Sequence, residues 1–114
     1  MLNEKDYCDH KTVLQLESLG MNVYTNFNGV DVIRNVMLYE VQKWLREEKG
    51  IHIAPRIYLY HDAMLDEQTS WECNIYVEWS TIYTIGKSLS YEEALLLGIK
   101  EAIEILKDKK INSI

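Results

Sequence analysis

Residues 71–79 read WECNIYVEW, and this stretch constrains the fold more than any other. Trp71, Cys73, Ile75, Val77 and Trp79 take the odd positions, and Glu72, Asn74, Tyr76 and Glu78 the even ones. Successive side chains of an extended chain point to opposite faces, so this period of two predicts a strand with one dry face and one wet face. A dry face needs a covering layer, and SYEEALLLGIKEAIEIL, residues 90–106, supplies one. Tyr91, Ala94, Leu95, Gly98, Ala102, Ile105 and Leu106 recur at helical spacing along one face. Ser90 and Glu93 form the S-x-x-E pattern that ties amides at a helix start. Gly98 costs a helix about 1 kcal/mol relative to alanine, which predicts close approach of helix to sheet. Lys107, Lys109 and Lys110 complement the negative end of the helix dipole.

The rest of the chain reads as similar short elements. KTVLQLESL, 11–19, has helical spacing and is stopped by Gly20. MNVYTNF, 21–27, alternates weakly, as a short strand or an extended connector, and NFNG at 26–29 is turn chemistry. A second long helix is predicted from Asp31, its cap or first-turn acid. Its stripe is Ile33, Met37, Val41, Trp44 and Leu45, and Lys49 and Gly50 close it. IHIAPRIYLYH, 51–61, is a strand that Pro55 confines to an edge, a bulge or an interruption. DAMLDEQTS, 62–70, is a polar hairpin loop, and TIYTIGK, 81–87, is a third strand after a tight turn near Ser80. Residues 1–10 are expected to be loosely ordered.

At 114 residues the chain is expected to form a single domain, residues 1–114, with an N-terminal extension over 1–30 and a core over 31–109. The predicted class is α+β: a three-stranded antiparallel sheet with two helices packed on one face, in α-β-β-β-α order, plus a short N-terminal helix. That order is the topology of the double-stranded-RNA-binding domain. No apolar run is long enough for a membrane span, and the polar start MLNEKDYCDHK lacks the apolar region of a secretory signal. Cys8 and Cys73 form no close pair and are read as reduced thiols of a cytoplasmic protein.

From the helix ending EEKGIHI to the SYEEA box, residues 35–108, the chain resembles small uncharacterised α-β-β-β-α proteins encoded by phages, prophages and mobile elements of gut anaerobic bacteria. The shared pattern is K-G-I-H-I, an aromatic sheet, then S-Y-E-E-A-x-x-x-G. The resemblance implies a mobile-element setting and no particular chemistry. The double-stranded-RNA-binding domain, similar in element order, sets a lysine cluster at the start of its last helix, where this chain has Glu92 and Glu93. With a net charge of −6 and no basic stripe, that departure argues against a nucleic-acid partner. The alternative reading, a nucleic-acid-binding module, needs a basic patch assembled in space from Arg34, Lys43, Arg46, Lys49 and Lys100.

Little in the sequence suggests catalysis, a metal or a cofactor, and none is predicted. Cys8, Asp9 and His10 are nucleophile and base types, but adjacent residues seldom form a working pair. His52 and His61 lie about 30 Å apart along a straight strand and do not share one ion. Asp62, Asp66 and Glu67 lack the glycine and spacing of a calcium loop. Glu72 and Glu78 are about 20 Å apart, too far for a carboxylate dyad.

The tyrosines remain. On the wet face of the predicted sheet fall Arg56, Tyr58, Tyr60, Glu72, Tyr76 and Glu78, with Tyr83 nearby. Tyrosine suits half-wet strands, and it also supplies contact area at low entropic cost. The expected function is therefore a non-enzymatic small binding or accessory protein of a phage or mobile element, engaging a protein partner through this face; the alternative occupants are a second copy and the chain's own residues 1–30, the last of which needs no function. Leu96, Leu97 and Ile103 fall off the stripe through Gly98, which predicts a second contact at Leu96 and Ile103, with the N-terminal helix or with the partner in a homodimer.

Overall fold

The computed structural model describes residues 6–60, 68–77, 81–88 and 90–112, with 58–60, 68–70, 81–82, 85–88 and 109–112 described by backbone alone. The elements run α1 (His10–Ser18), β1 (Tyr24–Phe27), β2 (Val30–Ile33), α2 (Leu38–Lys49), β3 (Ile51–Tyr60), β4 (Gln68–Val77), β5 (Thr81–Ser88) and α3 (Tyr91–Asn112). The protein is α+β, and its described residues form two small antiparallel sheets and three helices.

α1 closes in a Schellman motif. Gly20, at φ +105°, donates its amide to the Glu17 carbonyl, and Met21 donates to the Leu16 carbonyl. Leu16 and Met21, the two ends of that motif, are both buried. The chain then enters a hairpin that the sequence reading only half foresees. Asn28 and Gly29 have φ of 51° and 83°, the pair of positive values that a two-residue type I′ turn requires. Around this turn Phe27 pairs with Val30, Thr25 with Val32 and Tyr24 with Ile33.

The helix predicted from Asp31 is thus corrected. Asp31 and Ile33 lie in β2, and α2 begins at Leu38 with extended Met37 as its cap. The β-branched run Val30, Val32, Ile33 favours a strand, and the turn before it brings a pairing partner within reach. From Met37 onward the helix follows the predicted stripe: Val41 and Leu45 are buried, Trp44 packs against the core, and Gly50 ends it at φ 67°. The N-terminal segment is also more tied than expected, for Tyr7 bridges to Met37 and Cys8 donates its amide to the Val36 carbonyl.

In the larger sheet β4 is central, with β3 and β5 as edges. The β3–β4 register runs unbroken from Ile51 opposite Val77 to Tyr60 opposite Gln68, and Pro55 sits opposite Cys73 on this edge strand, where its missing N–H is tolerated. Between β4 and β5 the register shifts at Trp71/Cys73, so that Cys73 faces Ile85 and Trp71 faces Ser88. The predicted dry face holds: Cys73, Ile75 and Val77 are buried with Ile51 and Ile53, and Trp71 is half-buried. Trp79 and Glu78 lie outside the described residues, as do His61, the tip of the loop over 62–67 and the turn near Ser80.

α3 crosses this dry face and touches all three strands, while α2 touches β3 and α3. Gly98 permits the approach, for a Cβ there would stand 2.5 Å from the Cys73 Sγ. At its start the Glu93 amide donates to the Ser90 Oγ at 3.1 Å, the predicted cap. The buried arc of α3 is wider than its predicted stripe. Ile99 and Ile103 are fully buried alongside Ala94, Leu95 and Ala102. Because α1 and α2 also lean on α3, the helix meets neighbours on more than the sheet side. Ile103 is accordingly a core residue, and Leu96 is half-buried against the core. One continuous apolar cluster joins all three helices to the larger sheet.

Candidate functional site

The face of the larger sheet opposite the buried residues is built by the even positions. On β3 these are His52, Ala54, Arg56 and the backbone positions of Tyr58 and Tyr60; on β4 they are Glu72, Asn74 and Tyr76. Register places His52 opposite Tyr76, Ala54 opposite Asn74, Arg56 opposite Glu72 and Tyr58 opposite Ser70. Cross-strand register therefore brings Arg56 of β3 and Tyr76 of β4 to one face, and the backbone positions of Tyr58 and Tyr60 have the same parity along β3. Glu78 is not among the described residues. Tyr83 sits opposite Ile75, so its register belongs to the helix-side face, although it is exposed at the β5 edge.

Polar pairs order this surface. The Arg56 Nε lies 3.1 Å from Glu72 Oε1, a cross-strand ion pair with Arg56 more than half exposed. Pairs of this kind contribute a few tenths to about 1 kcal/mol. Beside it the Thr84 hydroxyl donates to Asn74 Oδ1 at 3.0 Å. Tyr76 is half-buried and His52 is half-buried on the neighbouring strand. The described side chains of this face are thus a salt bridge, an amide, one phenol and one imidazole.

The other candidates separate in space. Burial, with the nearby Asp9 and Glu40 carboxylates, pushes the Cys8 thiol up to about 12, against a smaller opposing effect of Lys100. A thiol so protonated at neutral pH is a poor nucleophile. Asp9 instead serves the start of α1: it accepts the Thr12 hydroxyl at 2.6 Å, and that bond, aided by Lys100, holds its carboxyl below the ordinary value. Cys73 is a core residue whose thiol burial pushes up to about 11. Among the described residues, no group of three or more His, Cys, Asp or Glu is placed to hold a metal ion. His61, Asp62, Asp66 and Glu67 fall outside those residues.

Shallow grooves lie elsewhere among the described residues. One, of about 320 Å³, runs between α1 and α3 past Asp9, Thr12, Leu97, Lys100 and Glu104. The other, about 350 Å³, lies by Met21, Tyr39 and Trp44. Both are lined by carboxylates and lysines. Three cations of the alternative nucleic-acid reading have partners of their own: Arg34 pairs with Glu40 at 3.0 Å, Lys49 lies over the Trp44 ring at 5.5 Å, and Lys100 approaches Asp9 at 4.0 Å.

One surface escaped the sequence reading. All eight strand residues of the β1–β2 hairpin are exposed, Phe27 and Val30 by 66% and 61%. The β-branched run after the Asn-Gly turn is the signal that would have found it.

Fold and surface together define a small α+β domain whose larger sheet offers a polar, tyrosine-bearing face. No family model matches the chain, and no curated protein or solved structure matches it. No described helix is long and apolar enough to cross a membrane.

Proposed function

We propose that the protein is a non-catalytic binding module that engages another protein through the even-position face of its larger sheet. In this reading α2 and α3 both lie on the opposite face, in the α-β-β-β-α order of a double-stranded-RNA-binding domain, with α1 and the hairpin added before it. The contacts of α2 with β3 and α3, and the single core cluster, support that arrangement. The observation that supports the proposal is the register: Arg56 on β3 shares a face with Tyr76 on β4, away from buried Cys73, Ile75 and Val77, and positions 58 and 60 follow with the same parity along the β3 backbone. Tyrosine and arginine are the residue types that anchor protein interfaces. The Arg56–Glu72 pair gives the surface a fixed polar centre whose two charges would direct a partner's orientation. The resemblance to phage and mobile-element proteins fits an accessory factor acting on a partner inside a host cell.

A nucleic-acid ligand fits less well. Glu92 and Glu93 occupy the first turn of α3, and the net charge is −6. Phosphate binding would show as a steep fall of affinity with salt, so a flat response over a salt series in filter binding discards that alternative.

The test is an affinity pull-down from the native host with the wild type and with Tyr58→Ala/Tyr76→Ala and Arg56→Glu variants, each first shown to be folded by circular dichroism. Loss of a specific bound protein in the variants supports the sheet face. Equal recovery by all three forms removes it.

A further inference from the structure

β3 and β5 are the two edges of the larger sheet, and they are not alike. An edge strand leaves a row of backbone amides and carbonyls open to another strand. On β3 that row is interrupted. Gln42 of α2 donates its side-chain amide to the Ile53 carbonyl at 2.8 Å. This bond fixes the parity of the strand: odd positions turn their backbone groups away from β4, and even positions turn theirs toward it. Pro55 is odd as well, and it stands opposite Cys73 with no amide to give. The proline therefore removes a donor from the outer row and none from the ladder. Ile51 and Ile53 are buried, and α2 packs against the strand. Ile57, exposed by 50%, is the next outward position. β5, by contrast, has no proline over Thr81–Ser88, and among the described residues no strand pairs with its outer side.

We infer that Gln42 and Pro55 close the β3 edge against a strand from another copy, and so keep the protein from assembling end to end. A sheet with two open edges can join the β5 of one copy to the β3 of the next. That contact is head-to-tail, and its repetition builds an open-ended chain of copies. A strand arriving at β3 needs donors and acceptors that alternate at regular spacing. Here it meets an acceptor already taken at Ile53 and, two residues on, a donor that does not exist at Pro55. Displacing Gln42 exchanges one hydrogen bond for another and disturbs a half-buried side chain, so the exchange brings no gain. The net charge of −6 also opposes association. Salt screens that repulsion, whereas the closed edge persists at any salt concentration, so the two effects are separable. The closed edge is also distinct from the even-position face of the sheet, whatever that face binds.

The experiment is sedimentation equilibrium of the full chain from about 10 µM to 1 mM, in salt high enough to screen the net charge. The wild type should not exceed a dimer. Gln42→Ala/Pro55→Thr frees the Ile53 carbonyl and restores an outward amide, and its weight-average mass should climb several-fold over the same range, past any closed pair. Far-ultraviolet circular dichroism and the melting temperature establish that the variant is folded. Where the double variant melts far below wild type, Pro55→Thr alone carries the test with the same expected sign. Ile57→Pro, added to either variant, withdraws the next outward amide without costing a bond to β4, and should return the mass to that of the wild type. Growth caused by a general loosening of the fold would survive that third substitution. A wild type that grows beyond a dimer overturns the inference. So does a folded variant that keeps the wild-type mass, or one whose growth Ile57→Pro leaves unchanged.

Discussion

Gly98 of α3 lies directly over Cys73 of β4: a Cβ at position 98 would stand 2.5 Å from the Cys73 Sγ and 2.6 Å from Cγ2 of Ile53. Both targets are buried, and the branched Ile53 side chain has little room to turn. Gly98→Ala gains about 1 kcal/mol of helix propensity, but overpacking a tight interior costs about 1–3 kcal/mol. The net expectation is a loss of about 1 kcal/mol in urea denaturation. Cys73→Ala removes one of the two clashing groups, so it should cost less in the Gly98→Ala background than in wild type. A Gly98→Ala protein more stable than wild type would place the helix farther from the sheet.

Arg34 joins the hairpin base to the first turn of α2. One guanidinium nitrogen pairs with Glu40 Oε2 at 3.0 Å and the other reaches the Asn22 carbonyl at 3.1 Å. A forked, half-buried contact of this type is worth more than an exposed ion pair, on the order of 1 kcal/mol. Arg34→Ala should destabilise more than Glu40→Ala, because only the first also frees Asn22. Arg34→Lys should not restore the loss, since an ammonium lacks the planar fork. Amide exchange across residues 24–33 should quicken in Arg34→Ala; unchanged exchange there would mean the hairpin is held without this residue.

Much of the main sheet was legible because its signals are local. The odd-even pattern of 71–77 names the buried face without reference to any partner, and Ser90 marks the start of α3 through its own hydroxyl. The hairpin was half-hidden for a different reason. Ile33 and Met37 fall four apart by coincidence and extend the helical stripe of α2 backward, while MNVYTNF alternates too weakly to announce β1. Only pairing across the Asn28–Gly29 turn decides between the two, and pairing is not a property of either segment alone. Ile103 was misplaced because a helix touched by α1, α2 and the sheet buries a broad arc. A single-stripe rule assumes one neighbour. The shared face of Arg56 and Tyr76 was legible in strand parity, since register in a bulge-free β3–β4 pair follows from alternation. Its partner was not, because a partner's chemistry leaves no trace in spacing.

The thiols should be silent in the native state. Burial first, and for Cys8 the Asp9 and Glu40 carboxylates as well, raise Cys8 to about 12 and Cys73 to about 11 from an ordinary 9.0. At pH 8 labelling by a disulfide reagent should be slow for both, and should become fast and complete in denaturant. The sign of the linkage follows. Because the folded values are raised, the stabilisation from keeping the thiols neutral is fully present below about pH 9 and is lost as pH climbs toward the folded values. Cys8→Ser should therefore flatten part of the alkaline fall in stability. Rapid native labelling of Cys8 at pH 8 would contradict its burial.

The Asp9–Thr12 pair gives the opposite pH dependence. Thr12 is almost wholly buried and its hydroxyl donates to Asp9 Oδ1 at 2.6 Å, which is the largest influence lowering the Asp9 carboxyl below 3.8; Lys100 adds to it, and partial desolvation opposes it. A depressed folded value means the carboxylate stabilises the fold above the unfolded value, and the benefit disappears as pH falls from about 4 through the folded one. The stability gap between wild type and Asp9→Ala should be constant from pH 7 to 5 and should shrink below pH 4. Carboxyl titration by nuclear magnetic resonance separates the causes. Thr12→Val removes the donor at nearly the same volume and should return Asp9 most of the way toward its ordinary value, whereas Lys100→Met should move it less. If Lys100→Met has the larger effect, the ion pair rather than the hydroxyl holds this carboxylate at the start of α1.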